Sequence, residues 1–405
     1  MLPLDTAPVR AFLDEQHVTL ADRVSEFATR RLAPLAEPKD DATARHQARE
    51  LLGALGAAGW LEPIRDQDWR ACCLVREALA AASPLADAVF ALQALGVVPM
   101  LLSANDAMRK RWLEPAIQGR AMASFAMTEP DAGSDVASLG ATAEPNGDRY
   151  VLSGTKTFIS NAGIADFYTV FATTDRAKKD KGIGCFVVAA DTPGLRFVRP
   201  LVLSAPHPLG EIALQQAAVP RECRLDAPQE GFKLGLATLD RLRATVGAAA
   251  CGMASRALAE ALAHAKSRRQ FGRPLADFQL IQEKLARMAT DLTAARLLVY
   301  RAAWEKDRGA PRVTLAAAMA KAFATEAAQR IVDDAVQILG GRGCWRIIPW
   351  TDSTAPSAPC ASTRGRRRSS TSSSRDSSSS ENRHDRRRAG GAVLRHSDEG
   401  SRSSS

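Results

Sequence analysis

The chain has 405 residues, enough for two or three domains and a sizeable core. Its formal net charge of +9 invites a nucleic-acid reading, but residues 344–405 hold twelve Arg, no Lys and six acids, so +6 belongs to the tail and only +3 to the 343 residues before it; a near-neutral body argues against nucleic acid as its partner. Seven cysteines without metal-like spacing predict reduced, buried thiols in a cytoplasmic protein, while early acids at the N-terminus and no apolar run near the ~20 residues of a membrane span argue against secretion and against a membrane.

Residues 18–35 read as an amphipathic helix with Leu20, Val24, Phe27, Ala28 and Leu32 on one side. Residues 43–58 and 72–82 continue the helical pattern, with Gly59 and Pro84 as breaks, and Pro115 and Gly119 close an N-terminal helical domain over 1–120. From 121 to 228 short β-branched and aromatic runs alternate with turns, which predicts a middle β-domain. Asn146-Gly147-Asp148 is a hairpin signal there, and residues 168–173 and 183–189 read as buried strands. Helical periodicity returns over 232–288, 291–306 and 313–339, a C-terminal helical domain spanning 229–343. The fold class is therefore α+β: helices, a β-domain, a helical bundle, then a tail. In that tail, 344–405, seventeen of the 62 residues are serine and no apolar face recurs, which predicts disorder.

Two stretches carry the chemistry. Residues 124–135, SFAMTEPDAGSD, lead from an apolar run into a loop of small and polar residues suited to an electron-rich ligand. Residues 153–161, SGTKTFISN, alternate like a strand and put Phe158 and Ser160 on one face, an aromatic plane beside a hydroxyl. Polar loops at strand ends read the same way on composition alone. Their joint order and spacing, with Arg268-Arg269-Gln270-Phe271-Gly272, Phe278-Gln279 and Gln337-Ile338-Leu339-Gly340-Gly341 downstream, resemble the acyl-CoA dehydrogenase family over about residues 20–343.

The resemblance implies non-covalently bound FAD, an acyl-CoA substrate, a homodimer or homotetramer, and an electron-transfer flavoprotein as electron acceptor. It implies that Met127 and Thr128 meet the isoalloxazine edge, that Phe158 stacks against the ring, and that Ile159 and the Ser160 hydroxyl also contact the cofactor. Arg268, Gln270, Phe271 and Gln279 would meet the pyrophosphate and adenosine half of a cofactor bound in a neighbouring subunit, and Gln337, Gly340 and Gly341 would approach that same cofactor. Ser134, Asp240 and Arg243 would hold the CoA portion of the substrate. Each also fits a plainer reading as loop cap, helix cap or solvated helix face.

The family's proton-abstracting glutamate has no counterpart. Leu242 stands at one family position for it, and Ser362-Thr363-Arg364-Gly365 stands where most members carry a YEG motif, so no catalytic residue is assigned. With GC-rich codons, reading each codon's last base with the next codon's first two after Gly343 yields VLADHPVDRLYRAIRALRIYEGASEVQ, which has the look of a family C-terminus. The tail reads as out-of-frame translation, and the expected activity is an impaired FAD-dependent dehydrogenation in fatty acid metabolism. A flavin-dependent oxidase or monooxygenase, a non-catalytic flavoprotein, and nucleic-acid binding through the Arg/Ser tail are the alternatives. His207, in Pro206-His207-Pro208, is predicted to sit in a rigid surface turn.

Overall fold

The computed structural model describes residues 4–344. The sequence-based readings of the tail, including the stretch around Ser362, fall outside the described residues. The N-terminal helices are α1 (Glu15–Phe27), α2 (Asp41–Ala57), α3 (Trp69–Ala82) and α4 (Pro84–Leu102). A π-helical turn, Ala28–Leu32, extends α1 over the stretch expected from periodicity.

Helix α4 corrects two expectations. Pro84 begins a helix, because its missing N–H costs nothing in the first turn and the Ser83 hydroxyl accepts from Ala86 N at 3.3 Å. The helix is also 19 residues long with mean hydropathy 1.9, long and apolar enough to cross a membrane by length and composition. It is instead a core helix, 72% buried, because it lies between the other N-terminal helices and the sheet. Thr169 donates to Gly96 O at 2.8 Å, and a Cβ on Gly96 would meet Ala123 Cβ at 2.5 Å, so helix and sheet touch at backbone distance. Gln93, fully buried on α4, donates to Ala116 O and Ala121 O and accepts from Ala123 N, which fixes where the first strand starts.

The middle of the chain forms one seven-stranded sheet: β1 (Ala123–Ala126), β2 (Thr142–Asn146), β3 (Arg149–Ser160), β4 (Phe167–Thr173), β5 (Ile183–Ala189), β6 (Leu195–Pro200) and β7 (Leu209–Pro220). The order is β1-β4-β2-β3-β7-β6, with β5 paired to β4. The expected hairpin is the β2–β3 turn, whose strands pair in register from Asn146–Arg149 to Thr142–Ser153. Strands β4 and β5, read as buried from their continuous apolar composition, are buried almost throughout.

Three long helices follow: α5 (Gly231–Ser267), α6 (Gln279–Asp307) and α7 (Thr314–Leu339). The continuous helix expected over 232–288 is broken at Arg268. Residues Arg269–Gln270 and Arg273–Pro274 form a short hairpin (β8, β9), since Gly272 takes φ +80° at its tip and Pro274 cannot continue a helix. Small residues let these helices pack closely: a Cβ on Gly252 of α5 would lie 2.1 Å from Glu77 O on α3.

Buried ion pairs lock the N-terminal helices to the bundle. Arg76 pairs bidentately with Asp87 at 2.8 Å and donates to Thr245 on α5 at 3.0 Å. Glu77 accepts from Arg296 at 2.6 Å and from the Tyr300 hydroxyl at 2.8 Å, both on α6. Arg296→Met leaves Glu77 charged and buried beside a single neutral donor, and is expected to cost about 3–5 kcal/mol in urea unfolding. A loss below about 1 kcal/mol would show that Glu77 does not depend on that cation.

Candidate active site

Strands β1 and β3 are not ladder neighbours, yet four hydrogen bonds join their ends. The Ser124 hydroxyl donates to Ser160 O at 2.6 Å, Asn161 Nδ2 to Ala123 O at 2.9 Å, Thr157 N to Thr128 O at 3.0 Å, and Lys156 Nζ to Met127 O at 3.1 Å. The seam brings together the two stretches singled out in the sequence. At its centre Lys156 is fully buried and its ammonium lies 2.6 Å from Glu129 Oε1, itself 8% exposed. Burial lowers the Lys156 pKa, and Glu129 opposes that shift. Glu129 also accepts from Gly140 N at 2.5 Å and Ala141 N at 3.0 Å, so its carboxylate is spent on structure and is not poised as a base.

A β-bulge between Lys156 and Ile159 sets which side chains face out. Strict alternation would place Lys156 on the face of Phe158. The bulge instead puts Lys156 and Ile159 on the buried face, while the Phe158 ring is 63% exposed and Ser160 half-exposed. Phe158 takes φ +55°, a left-handed conformation costing an aromatic residue roughly 1–2 kcal/mol. Backbone strain and an exposed aromatic face thus coincide at one residue. Thr128 is half-buried, and among the described residues the hydroxyls of Thr128, Ser160 and Ser134 have no protein partner. Met127 and Ile159 are buried.

The remaining candidates form a second group at the hairpin and the end of α7. Phe271 at the hairpin tip is 93% exposed with φ +50°, and nearby Leu280 is 78% exposed. Arg268, Gln279 and Gln337 are exposed, and Gln270 donates to Arg269 O at 2.6 Å. Gly340 (φ +59°, ψ −137°) occupies backbone space that favours glycine, and a Cβ on Gly341 would meet nothing within 4 Å, so this chain's own packing does not require glycine there. Burial, then the charges of Arg342 and Arg268, lower the His264 pKa. No hydrogen bond or ring contact links this group to Thr128 and Phe158 among the described residues.

On α5, Asp240 pairs with Arg243 at 3.0 Å and accepts from the Thr314 hydroxyl at 2.8 Å, and both charged side chains keep about a third of their surface open. Leu242 between them is buried and carries no proton chemistry.

His207 departs from its expected surface turn: only 9% of it is exposed. Arg45 on α2 draws the loop inward. It donates to Leu209 O at 2.9 Å and to Ala162 O, pairs with Asp41 at 2.6 Å, and lies 4.9 Å over the Phe197 ring. Arg49 grips Asp166 bidentately at 2.6 and 3.0 Å, so α2 holds both sides of the turn that follows Ser160.

Comparison with known proteins gives three family matches in chain order: the acyl-CoA dehydrogenase N-terminal domain over residues 14–120, its middle domain over 124–217 and its C-terminal domain over 229–358. A 3-(aryl)acrylate reductase of Clostridium sporogenes is 37% identical over 342 residues, covering 82% of this chain and 90% of that protein. Butyryl-CoA dehydrogenase of Megasphaera elsdenii superimposes with a TM-score of 0.79 at 32% identity, covering 85% of this chain and 92% of that one. The FAD complex of PigA does so with a TM-score of 0.78 at 27% identity, covering 86% and 93%.

Burial pushes the His207 pKa down to about 4 from its ordinary 6.5, with Asp41 opposing and Arg45 assisting. The unfolded chain therefore takes up this proton first as pH falls. Its contribution to stability is complete above about pH 6.5 and is lost progressively towards pH 4, up to roughly 3 kcal/mol. His207→Gln is expected to flatten that part of the decline in urea titrations between pH 7 and 4.5; an unchanged slope would contradict the assignment.

Proposed function

The chain belongs to the acyl-CoA dehydrogenase family, and from that membership we propose α,β-dehydrogenation of an acyl-CoA thioester, impaired in this chain for want of the family's glutamate base. FAD is its cofactor. The residues present fit that group: an exposed, strained Phe158 plane, unpartnered hydroxyls on Thr128 and Ser160, and the exposed cation Arg268. When bound, FAD supplies the acceptor for the hydride leaving the β-carbon.

The chain's own residues have distinct tasks in this reading. Thr128 offers hydrogen-bond donors to the ring edge, and Phe158 covers one ring face and excludes water from it. Ser134, Asp240 and Arg243 hold the CoA arm, the two charged groups being fixed against each other and by Thr314. The observation that carries the impairment is that no free carboxylate stands at the positions considered for the base. Glu129 is committed to Lys156 and two amides, Leu242 is apolar, and Ser362 to Gly365 contain no carboxylate. A second copy of the chain is proposed to cover Phe271 and Leu280 and to present its own cofactor to Arg268. An electron-transfer flavoprotein is the proposed electron acceptor.

The test is anaerobic flavin bleaching by a series of straight, branched and aryl acyl-CoA esters. The chain is expected to bind FAD and to be reduced about 10²–10⁴-fold more slowly than a version carrying the YEG element restored after Gly343. Equal rates would show that another residue serves as base. Absence of bound flavin at saturating FAD would overturn the reading itself.

A further inference from the structure

We propose that the buried Lys156–Glu129 pair positions the flavin edge: Lys156 acts through the Met127 carbonyl to aim the Thr128 amide, and Glu129 keeps Lys156 in place. This rests on the FAD reading above and adds to it two buried residues.

The geometry follows from the peptide unit. In a trans peptide the C=O and the next residue's N–H point in opposite directions. Met127 O turns inward onto the Lys156 ammonium at 3.1 Å, so the N–H of Thr128, in the same peptide plane, turns away from it. Thr157 N fixes the following plane by donating to Thr128 O at 3.0 Å. Two consecutive peptide planes are thus set from β3, and the Thr128 hydroxyl, without a partner among the described residues, rides on them.

Lys156 can do this only because it is held. Its ammonium is fully buried, so its place is set by Glu129 at 2.6 Å, and Glu129 is clamped by Gly140 N and Ala141 N. The bulge that turns Lys156 inward also gives Phe158 its left-handed backbone and exposed ring. One local distortion therefore places the ring-stacking side chain and the group that orients the ring-edge donor. Simple fastening of the loop requires neither the ammonium on Met127 O nor its coincidence with Phe158.

The test separates positioning from stability. In K156M/E129Q both charges go together, which avoids a lone buried ion and keeps the volume nearly constant. The apo-chain's Tm is expected to stay within about 5 °C of the parent. Its Kd for FAD, measured by fluorescence titration, is expected to rise roughly tenfold or more, as for loss of a charge-assisted hydrogen bond. The long-wavelength absorption band of bound flavin should shift as well. Lys156→Arg, which keeps cation and donors, is expected to hold the FAD Kd within about threefold of the parent. The proposal is overturned if K156M/E129Q binds FAD as tightly as the parent with an unshifted band. It is equally overturned if Tm and affinity fall in proportion, or if neither variant folds, since the pair then serves the fold alone. Failure of the unaltered chain to bind FAD is a separate result that removes the functional reading first.

Discussion

A lysine ammonium stripped of water must find its compensation inside the protein, and in this chain it finds it at one carboxylate and one main-chain carbonyl. Much of the middle domain can be traced from that constraint. To satisfy Lys156, β3 must bulge and the 127–132 loop must fold back over it. Glu129 must also reach the amides of Gly140 and Ala141, which closes the loop before β2 begins. Ser124, Asn161 and Thr157 extend the contact into a seam between two strands that share no ladder. The seam replaces ladder pairing by three side-chain bonds and one main-chain bond, and leaves the hydroxyls of Thr128 and Ser160 without a partner among the described residues.

The helices act on the same edge from outside. Helix α2 reaches over with Arg45 and Arg49 and fixes the turn after Ser160, while Gln93 on α4 fixes the start of β1. Both ends of the seam are therefore tied to the N-terminal helices. The buried Arg76–Asp87 and Glu77–Arg296 pairs tie those helices in turn to the C-terminal bundle. A strained Phe158 can persist because this surrounding framework determines its backbone from several directions. The second group, at Phe271 and Arg268, is held by none of these contacts and stands open to solvent, which suits a surface completed by another copy of the chain.

Much of this was legible in the sequence, for identifiable reasons. The succession of helices, sheet and helices follows from the change in apolar period, and the β2–β3 turn from Asn146-Gly147-Asp148. Alternation put Phe158 and Ser160 on one face, but it could not show the bulge, because nothing in Lys156-Thr157-Phe158 marks a lysine for burial. Lys156 and Glu129 were quoted within their motifs and given no role, since their meaning lies in a contact across 27 residues. Helix α4 was hidden by Pro84, which reads as a break and serves as a first-turn residue. His207 was misplaced because Pro-His-Pro gives no hint of Arg45, whose grip on the loop spans 164 residues. Local signals were legible; long-range ion pairing was not.

The central claim is that the bulged end of β3 and the 127–129 segment form one rigid cradle for a flavin ring. The most direct measurement is a crystal structure of the chain grown with saturating FAD. The account predicts the ring stacked on Phe158 with its edge within about 3.2 Å of a Thr128 donor, and the Lys156–Met127 contact unchanged. A flavin bound elsewhere, or Thr128 turned from the ring with Lys156 still on Met127 O, would contradict it.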